Sequence, residues 1–342
     1  MSVNDRERLD EIMDNNACFL EIVADYVNQT SLLIDREQVL SVCARTGVSE
    51  ERAFSSALAL EYGFDPDNDR FDAAFVRDYF VPSVRKLDVA DFACDPYYQK
   101  INLPLSARSP SGRWSVARRA FQPYEGFVRD DILCPGDFVE IPRVGFFPER
   151  FEYPSLLEDG REWMTVTPLE INTMREPIGQ ASGRVISFGL GLGYFSYLAH
   201  LKPSVSRVVA VERDPDLIAF FSEFILPLFD FPDKISLVCA DAFDYASSDL
   251  PRQPFDFAFV DLWHNVGDGL PSYCRMKCLQ HLSPSVRFSY WIESSLLSAL
   301  RSMSYRAIAD DPSIPLHGIL PAIGDDALRT LAADLGKRAD NI

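Results

Sequence analysis

Residues 185–194 read Val185-Ile186-Ser187-Phe188-Gly189-Leu190-Gly191-Leu192-Gly193-Tyr194. A short apolar run of β type enters three alternating glycines and leaves into an apolar segment with helical spacing. Glycine adopts positive φ without strain and lets a ligand come close to the main chain. The free N–H groups at the start of the following helix suit a carboxylate or ribose oxygens. The dinucleotide fingerprint G-x-G-x-x-G wants its third glycine at position 194. This chain has Tyr194 there and its glycine at Gly193.

Outward from this loop, strands and helices alternate. The apolar runs predict strands over 184–188, 207–211, 235–239, 255–260 and 287–292, with helices beginning over 194–200 and running over 217–229. Strands separated by helical patterns imply βαβ units, hence a parallel sheet covered on both faces. In such sheets a ligand binds beyond the C-terminal strand ends, near the point where strand order reverses.

The residues at those ends carry the candidate chemistry. The second strand finishes in Val209-Ala210-Val211-Glu212, nineteen residues beyond Gly193, and a carboxylate there can accept both hydroxyls of a ribose. Asp214-Pro215 reads instead as a helix cap with proline in the first turn. The third strand finishes in Val238-Cys239-Ala240-Asp241-Ala242-Phe243. Asp241 can accept from an adenine amino group, and the adjoining backbone at Ala242 can meet the ring nitrogens. The fourth finishes in Phe259-Val260-Asp261-Leu262-Trp263-His264, which puts Asp261, Trp263 and His264 where a reacting group would sit.

The rest of the chain is organised differently. Residues 1–90 show apolar positions at helical spacing (Phe19, Ile22, Val23, Tyr26) with stop and start signals at Thr46-Gly47 and Ser49-Glu50-Glu51. This helical region suits packing or a homodimer contact. Over 91–165 prolines recur and exclude long helices, and short β-type runs such as 137–141 and 163–166 predict a small β-rich or irregular segment. The expected domain organisation is therefore 1–90, 91–165, and an α/β domain over 166–342 with a doubly wound, mostly parallel sheet and a C-terminal helical tail.

Charge and cysteines bound the partners. The chain has 33 basic and 51 acidic residues, a formal net charge of −18. A field of that sign repels phosphate backbones and anionic membranes, so nucleic acid is disfavoured and a small-molecule substrate is expected. A local exception is 100–129, with Lys100, Arg108, Arg113, Arg118, Arg119 and Arg129 against Glu125. This stretch is either a basic patch for an acidic substrate or a solvated loop paired with the acidic remainder. Seven scattered cysteines, a polar N-terminus and no apolar run of membrane length predict a cytoplasmic protein. Cys274, Cys278 and His281 share a helix face, but small buried thiols on a helix packed against the sheet explain that spacing better than a metal site does, since zinc needs four ligands, and no metal is expected.

The stretch from Arg184 to Trp263 resembles the class I, Rossmann-like S-adenosylmethionine-dependent methyltransferases. It covers less than half of the chain. The resemblance implies S-adenosylmethionine as cofactor, with Gly189, Gly191 and Gly193 lining it, Glu212 on the ribose, and Asp241 with Ala242 at the adenine. Many such enzymes carry an acid two residues before the first glycine, where this chain has Ser187, which leaves Asp261 for the methionine amino group. Asp261 and His264 are the candidate catalytic residues.

The missing acid and the β-rich segment ahead of the fold are similar to the spermidine synthase branch. Those enzymes have an Asp where this chain has Leu192 and a second active-site Asp where it has His264. A polyamine needs carboxylates to replace its hydration, so the pattern resembles an aminopropyltransferase without its substrate acids. The expected function is methyl transfer to a small-molecule acceptor. The alternatives are aminopropyl transfer and non-catalytic binding of S-adenosylmethionine.

Overall fold

The computed structural model describes residues 3–311 together with 313, 314 and 318. The chain begins with α1 (Val3–Gln29), α2 (Arg36–Thr46), α3 (Glu50–Glu61) and α4 (Arg70–Phe75), then a π-helical turn and α5 (Val81–Ser83). Next come β1 (Arg85–Lys86), α6 (Val89–Ala93), α7 (Pro96–Lys100), β2 (Trp114–Phe121), β3 (Phe127–Gly136), β4 (Val139–Phe146), β5 (Phe151–Glu158) and β6 (Arg161–Thr165). From α8 (Pro168–Gln180) onward, strands and helices alternate: β7 (Gly183–Phe188), α9 (Tyr194–Leu201), β8 (Val205–Glu212), α10 (Pro215–Phe224), β9 (Ile235–Cys239), α11 (Ala242–Ser248), β10 (Phe257–Val260), α12 (Val266–Gln280), β11 (Arg287–Tyr290) and α13 (Glu293–Asp310). Of the expected C-terminal helical tail, α13 is described, and the chain beyond it lies almost entirely outside the described residues.

The chain divides into two compact units. One comprises the chain up to Ser106, Ser115–Leu157 and Thr165–Thr173; the other comprises Ala107–Trp114, Glu158–Met164 and the chain from Met174 onward. In the first unit the helix boundaries obey side-chain chemistry. Asp35 and Gln38 form a reciprocal capping box at the start of α2, whose end turns on Gly47 at φ 75°. Ser49 caps α3 by accepting from the Arg52 N–H. The core is aromatic: Phe54 stacks on Phe146 at 4.4 Å, and Phe19 meets Phe80 edge-on at 4.9 Å. β4 pairs parallel with β1 and antiparallel with β3. The start of the 91–165 segment is helical rather than β-rich. Asp88 and Asp95 cap α6 and α7, and Pro96 pre-sets the first turn of the second.

The second unit holds a five-stranded sheet in the order β11-β10-β7-β8-β9, and every pair in it is parallel. The three central strands β10, β7 and β8 are mainly buried runs of Val, Ile, Ala and Phe, as expected of a sheet covered on both faces, while the edge strands β9 and β11 are half-buried or exposed along most of their length. The chain steps outward from β7 through β8 to β9, then crosses to β10 and β11 on the other side. Right-handed crossovers put α9 and α10 on one face and α12 on the other. Strand order therefore reverses between β7 and β10, and the glycine loop leaves β7 at that point. The protein is a mixed α/β chain with a Rossmann-like parallel sheet and a helical N-terminal region.

Candidate functional site

The glycine loop is enclosed on several sides. At the reversal point Asp261 donates its N–H to the Phe188 carbonyl at 2.9 Å, and Gly189 donates to the Val211 carbonyl at 2.9 Å. Gly189 has φ 96°, and a Cβ there would run into the carbonyl of Asp261. Gly191 has φ 49°, and a Cβ there would run into Sδ of Met164. Gly189 thus requires glycine for conformation and for space, while Gly191 requires it for conformation, its near neighbour being the far end of the Met164 side chain. Gly193 caps α9. Ser187 is buried and donates through its hydroxyl to the Gly189 carbonyl at 3.2 Å. The Leu192 side chain is wholly buried, so it packs the core, while its N–H donates to Met164 Sδ at 3.1 Å.

Glu212 ends β8 beside this loop. Its Oε1 accepts from the Asp214 N–H at 3.0 Å. Burial pushes its carboxyl above the ordinary glutamate value; backbone N–H groups of Asp214, Leu190 and Arg213 pull the other way, and the Asp214 charge adds to the rise. These donors fix the carboxylate and leave part of its acceptor capacity, about four lone-pair sites in all, for a further donor. Glu212 lines a cleft of about 320 Å³ with Trp163, Trp114, Arg113 and Glu158. The cleft wall holds two indoles and a fixed carboxylate, which suits a flat ring bearing hydroxyls.

The cleft wall is built by the segment 107–114 clamped onto the start of α10. Asp214 caps α10 by accepting from the Asp216 N–H at 2.9 Å and the Leu217 N–H at 3.4 Å, with Pro215 in the first turn. Its other oxygen accepts from Trp114 Nε1 at 3.0 Å and from Arg113. Asp216 accepts from Ser109 Oγ at 2.6 Å and from the Ser111 N–H at 3.1 Å. Arg113 is thereby committed within the protein, with Glu158 at 3.5 Å as a second partner. Asp214→Ala is expected to cost about 2–4 kcal/mol, the sum of a lost helix cap and hydrogen bonds to a charged group. The measurement is the urea midpoint at constant m-value, and an unchanged midpoint would show that the clamp is not structural.

His264 packs against Trp163, one of the indoles that line the cleft. Its ring meets Trp163 edge-on with centroids 4.1 Å apart, and Trp163 in turn meets Trp114 edge-on at 5.5 Å. His264 Nδ1 bonds Asp268 Oδ2 at 2.9 Å. Burial raises the Asp268 carboxyl, but hydrogen bonds from the His264 ring and from the backbone N–H groups of Asn265 and His264 outweigh it. The group ends below its ordinary value. An ionised carboxylate only accepts, so Nδ1 carries the proton in the neutral ring and Nε2 keeps a lone pair. Asp268 is absent from the residues that the sequence singles out, although Asn265-x-x-Asp268 is a readable capping box.

Asp241 caps α11: Oδ1 accepts from the Phe243 N–H at 2.9 Å and the Asp244 N–H at 3.1 Å. Ala242 is buried as the first residue of that helix. Of the residues proposed for the site, Glu212 alone lines the cleft. Trp263 is buried against Gly269 and Tyr273, and its Nε1 has no partner among the described residues. Two polar residues of the segment leading into the α/β unit are structural. Glu170 is buried and accepts from the Thr167 N–H at 2.7 Å, and Asn172 donates to the Arg129 carbonyl at 2.8 Å. Cys274 and Cys278 are half-buried thiols, and burial with the neighbouring Cys278 pushes Cys274 up to about 11. Among the described residues no group of three His, Cys, Asp or Glu is placed to hold a metal ion, and no helix is long and apolar enough to cross a membrane.

No family model matches the chain, and no curated protein matches it by sequence. Solved structures do. The chain is similar to spermidine synthase from Thermotoga maritima and to a spermidine synthase in complex with the transition-state analogue AdoDATO. Each match has 15% identity and a TM-score of 0.31, and covers 46% of this chain and 59% of the other. The match thus spans less than two thirds of the length of those enzymes. At that identity and score, function rests on the residues themselves.

Proposed function

We propose that the chain binds S-adenosylmethionine at the C-terminal edge of the β7–β8 pair and transfers its methyl group to a small-molecule acceptor. The observation that supports this best is Glu212. Its carboxylate is fixed by backbone donors at the strand end beside the glycine loop, in a cleft walled by Trp163 and Trp114. In this reading Glu212 accepts the ribose hydroxyls, the indoles flank the nucleoside, and the glycine loop receives the amino-acid tail.

Methyl transfer is an in-line displacement at carbon: the acceptor's lone pair forms the new bond, and the leaving S–C pair returns to sulfur as a neutral thioether. Such a step needs proximity above all. Where the acceptor must lose a proton, His264 Nε2 is the available base, with Asp268 holding the ring. Asp261, at the strand-order reversal, is proposed for the methionine amino group.

The test offers the purified chain S-adenosylmethionine with a panel of small-molecule acceptors. In parallel it offers decarboxylated S-adenosylmethionine with polyamines. S-adenosylhomocysteine with a methylated product is the expected outcome. Methylthioadenosine with a lengthened amine would assign aminopropyl transfer instead. Calorimetric binding of S-adenosylmethionine without turnover on the panel would favour a binding protein.

A further inference from the structure

Segment 161–164, placed far before the glycine loop in sequence, lies against it through one side chain. Met164 Sδ accepts the Leu192 N–H at 3.1 Å and fills the space directly in front of Gly191. The neighbouring Trp163 faces the other way, into the Glu212 cleft and onto His264. Two adjacent residues thus touch the two halves of the site. One lines the open cleft at Glu212. The other covers the loop backbone.

A thioether is a weak acceptor for an N–H, and an unbranched methionine with three side-chain torsions repacks easily. A carboxylate is a much stronger partner for the same N–H. We propose that Met164 gates the glycine loop: a nucleoside reaches Glu212 past it unhindered, whereas a ligand with an amino-acid tail gains the Leu192 N–H only by displacing the thioether. This rests on the reading of the site as one for an S-adenosyl ligand. Met164 thereby sets the affinity for tailed ligands separately from the affinity for the nucleoside. Closing the gate nine-tenths of the time weakens apparent binding of a tailed ligand tenfold, because only the open fraction is competent.

The experiment titrates adenosine and S-adenosylmethionine into the wild-type chain and into Met164→Ala. A second arm tracks the εCH₃ resonance of Met164 in ¹³C-methyl-methionine-labelled wild-type protein, assigned by its loss in Met164→Leu. The expected result is that Met164→Ala tightens S-adenosylmethionine about tenfold and leaves adenosine unchanged. In the wild type the Met164 resonance should move with S-adenosylmethionine and stay with adenosine. The labelled arm decides the matter even where the alanine variant folds poorly. The gate is overturned where the wild type binds S-adenosylmethionine but the variant binds it no more tightly, or where the resonance does not move. It is also overturned where adenosine binds and S-adenosylmethionine binds neither protein. Binding of neither ligand to either protein overturns the S-adenosyl reading and the gate with it, which separates the two failures.

Discussion

A valine at Gly191 is expected to abolish S-adenosylmethionine binding while leaving a folded chain. Gly191 holds φ 49°, and an L-residue in that region costs about 1–2 kcal/mol, more when β-branched. The new side chain also enters the space that Met164 Sδ fills, so the thioether has to leave Leu192. The valine methyls then stand where a ligand must approach the backbone. Loss of the loop contacts should weaken binding more than about 100-fold, which is about 2.7 kcal/mol. The accompanying loss of fold stability should lower Tm by only several degrees in a domain of this size. The double variant with Met164→Ala separates two causes. If valine itself blocks the ligand, the double variant still fails to bind. If it recovers binding, the valine acted through the displaced methionine. Normal affinity in Gly191→Val would make the loop a structural turn.

The fold of the second unit is legible in the sequence because buried parallel strands are written as short apolar runs, and such runs need no knowledge of their partners. The strand read over 235–239 is β9, and Asp214-Pro215 caps α10 as its chemistry implies. The misreadings have local causes. The helix read to 229 stops at Phe224, because Pro227 sits in the 3₁₀ turn after it. The strand read to 292 stops at Tyr290, and Ile292 takes φ 45° at the head of α13, a conformation no propensity scale gives a β-branched residue. At the site, Glu212 can be found from its strand end. The Arg113–Trp114 clamp on Asp214 and the Met164 contact with Leu192 cannot. Periodicity carries no information about which distant segments meet. Asp241 caps α11, and an acid after a strand is a common way to start a helix, so its position alone does not separate a cap from a ligand contact.

Glu212→Ala carries the second large effect. Removing the carboxylate should weaken S-adenosylmethionine by about 1.5–3 kcal/mol, the range for hydrogen bonds to a charged group. It also strands the backbone donors of Asp214, Leu190 and Arg213 that now point at it. The pH profile gives the sharper signature. The ribose hydroxyls need the ionised form, so wild-type affinity should fall as pH drops through the Glu212 pKa. Burial has raised that pKa, so the fall begins at a higher pH than for an ordinary glutamate. Fold stability moves the other way. A carboxyl with a raised folded pKa binds its proton more tightly in the folded chain than in the unfolded one. Its stabilising increment is therefore present below the unfolded value and lost as pH rises through the folded one. On acidification the wild type should lose ligand affinity while this group's contribution to stability grows. Glu212→Ala should show neither trend. Calorimetric titration and urea midpoints across the acid range measure both. Affinity that is equal in the two proteins at neutral pH, or a wild-type profile as flat as the alanine variant's, would remove Glu212 from the site.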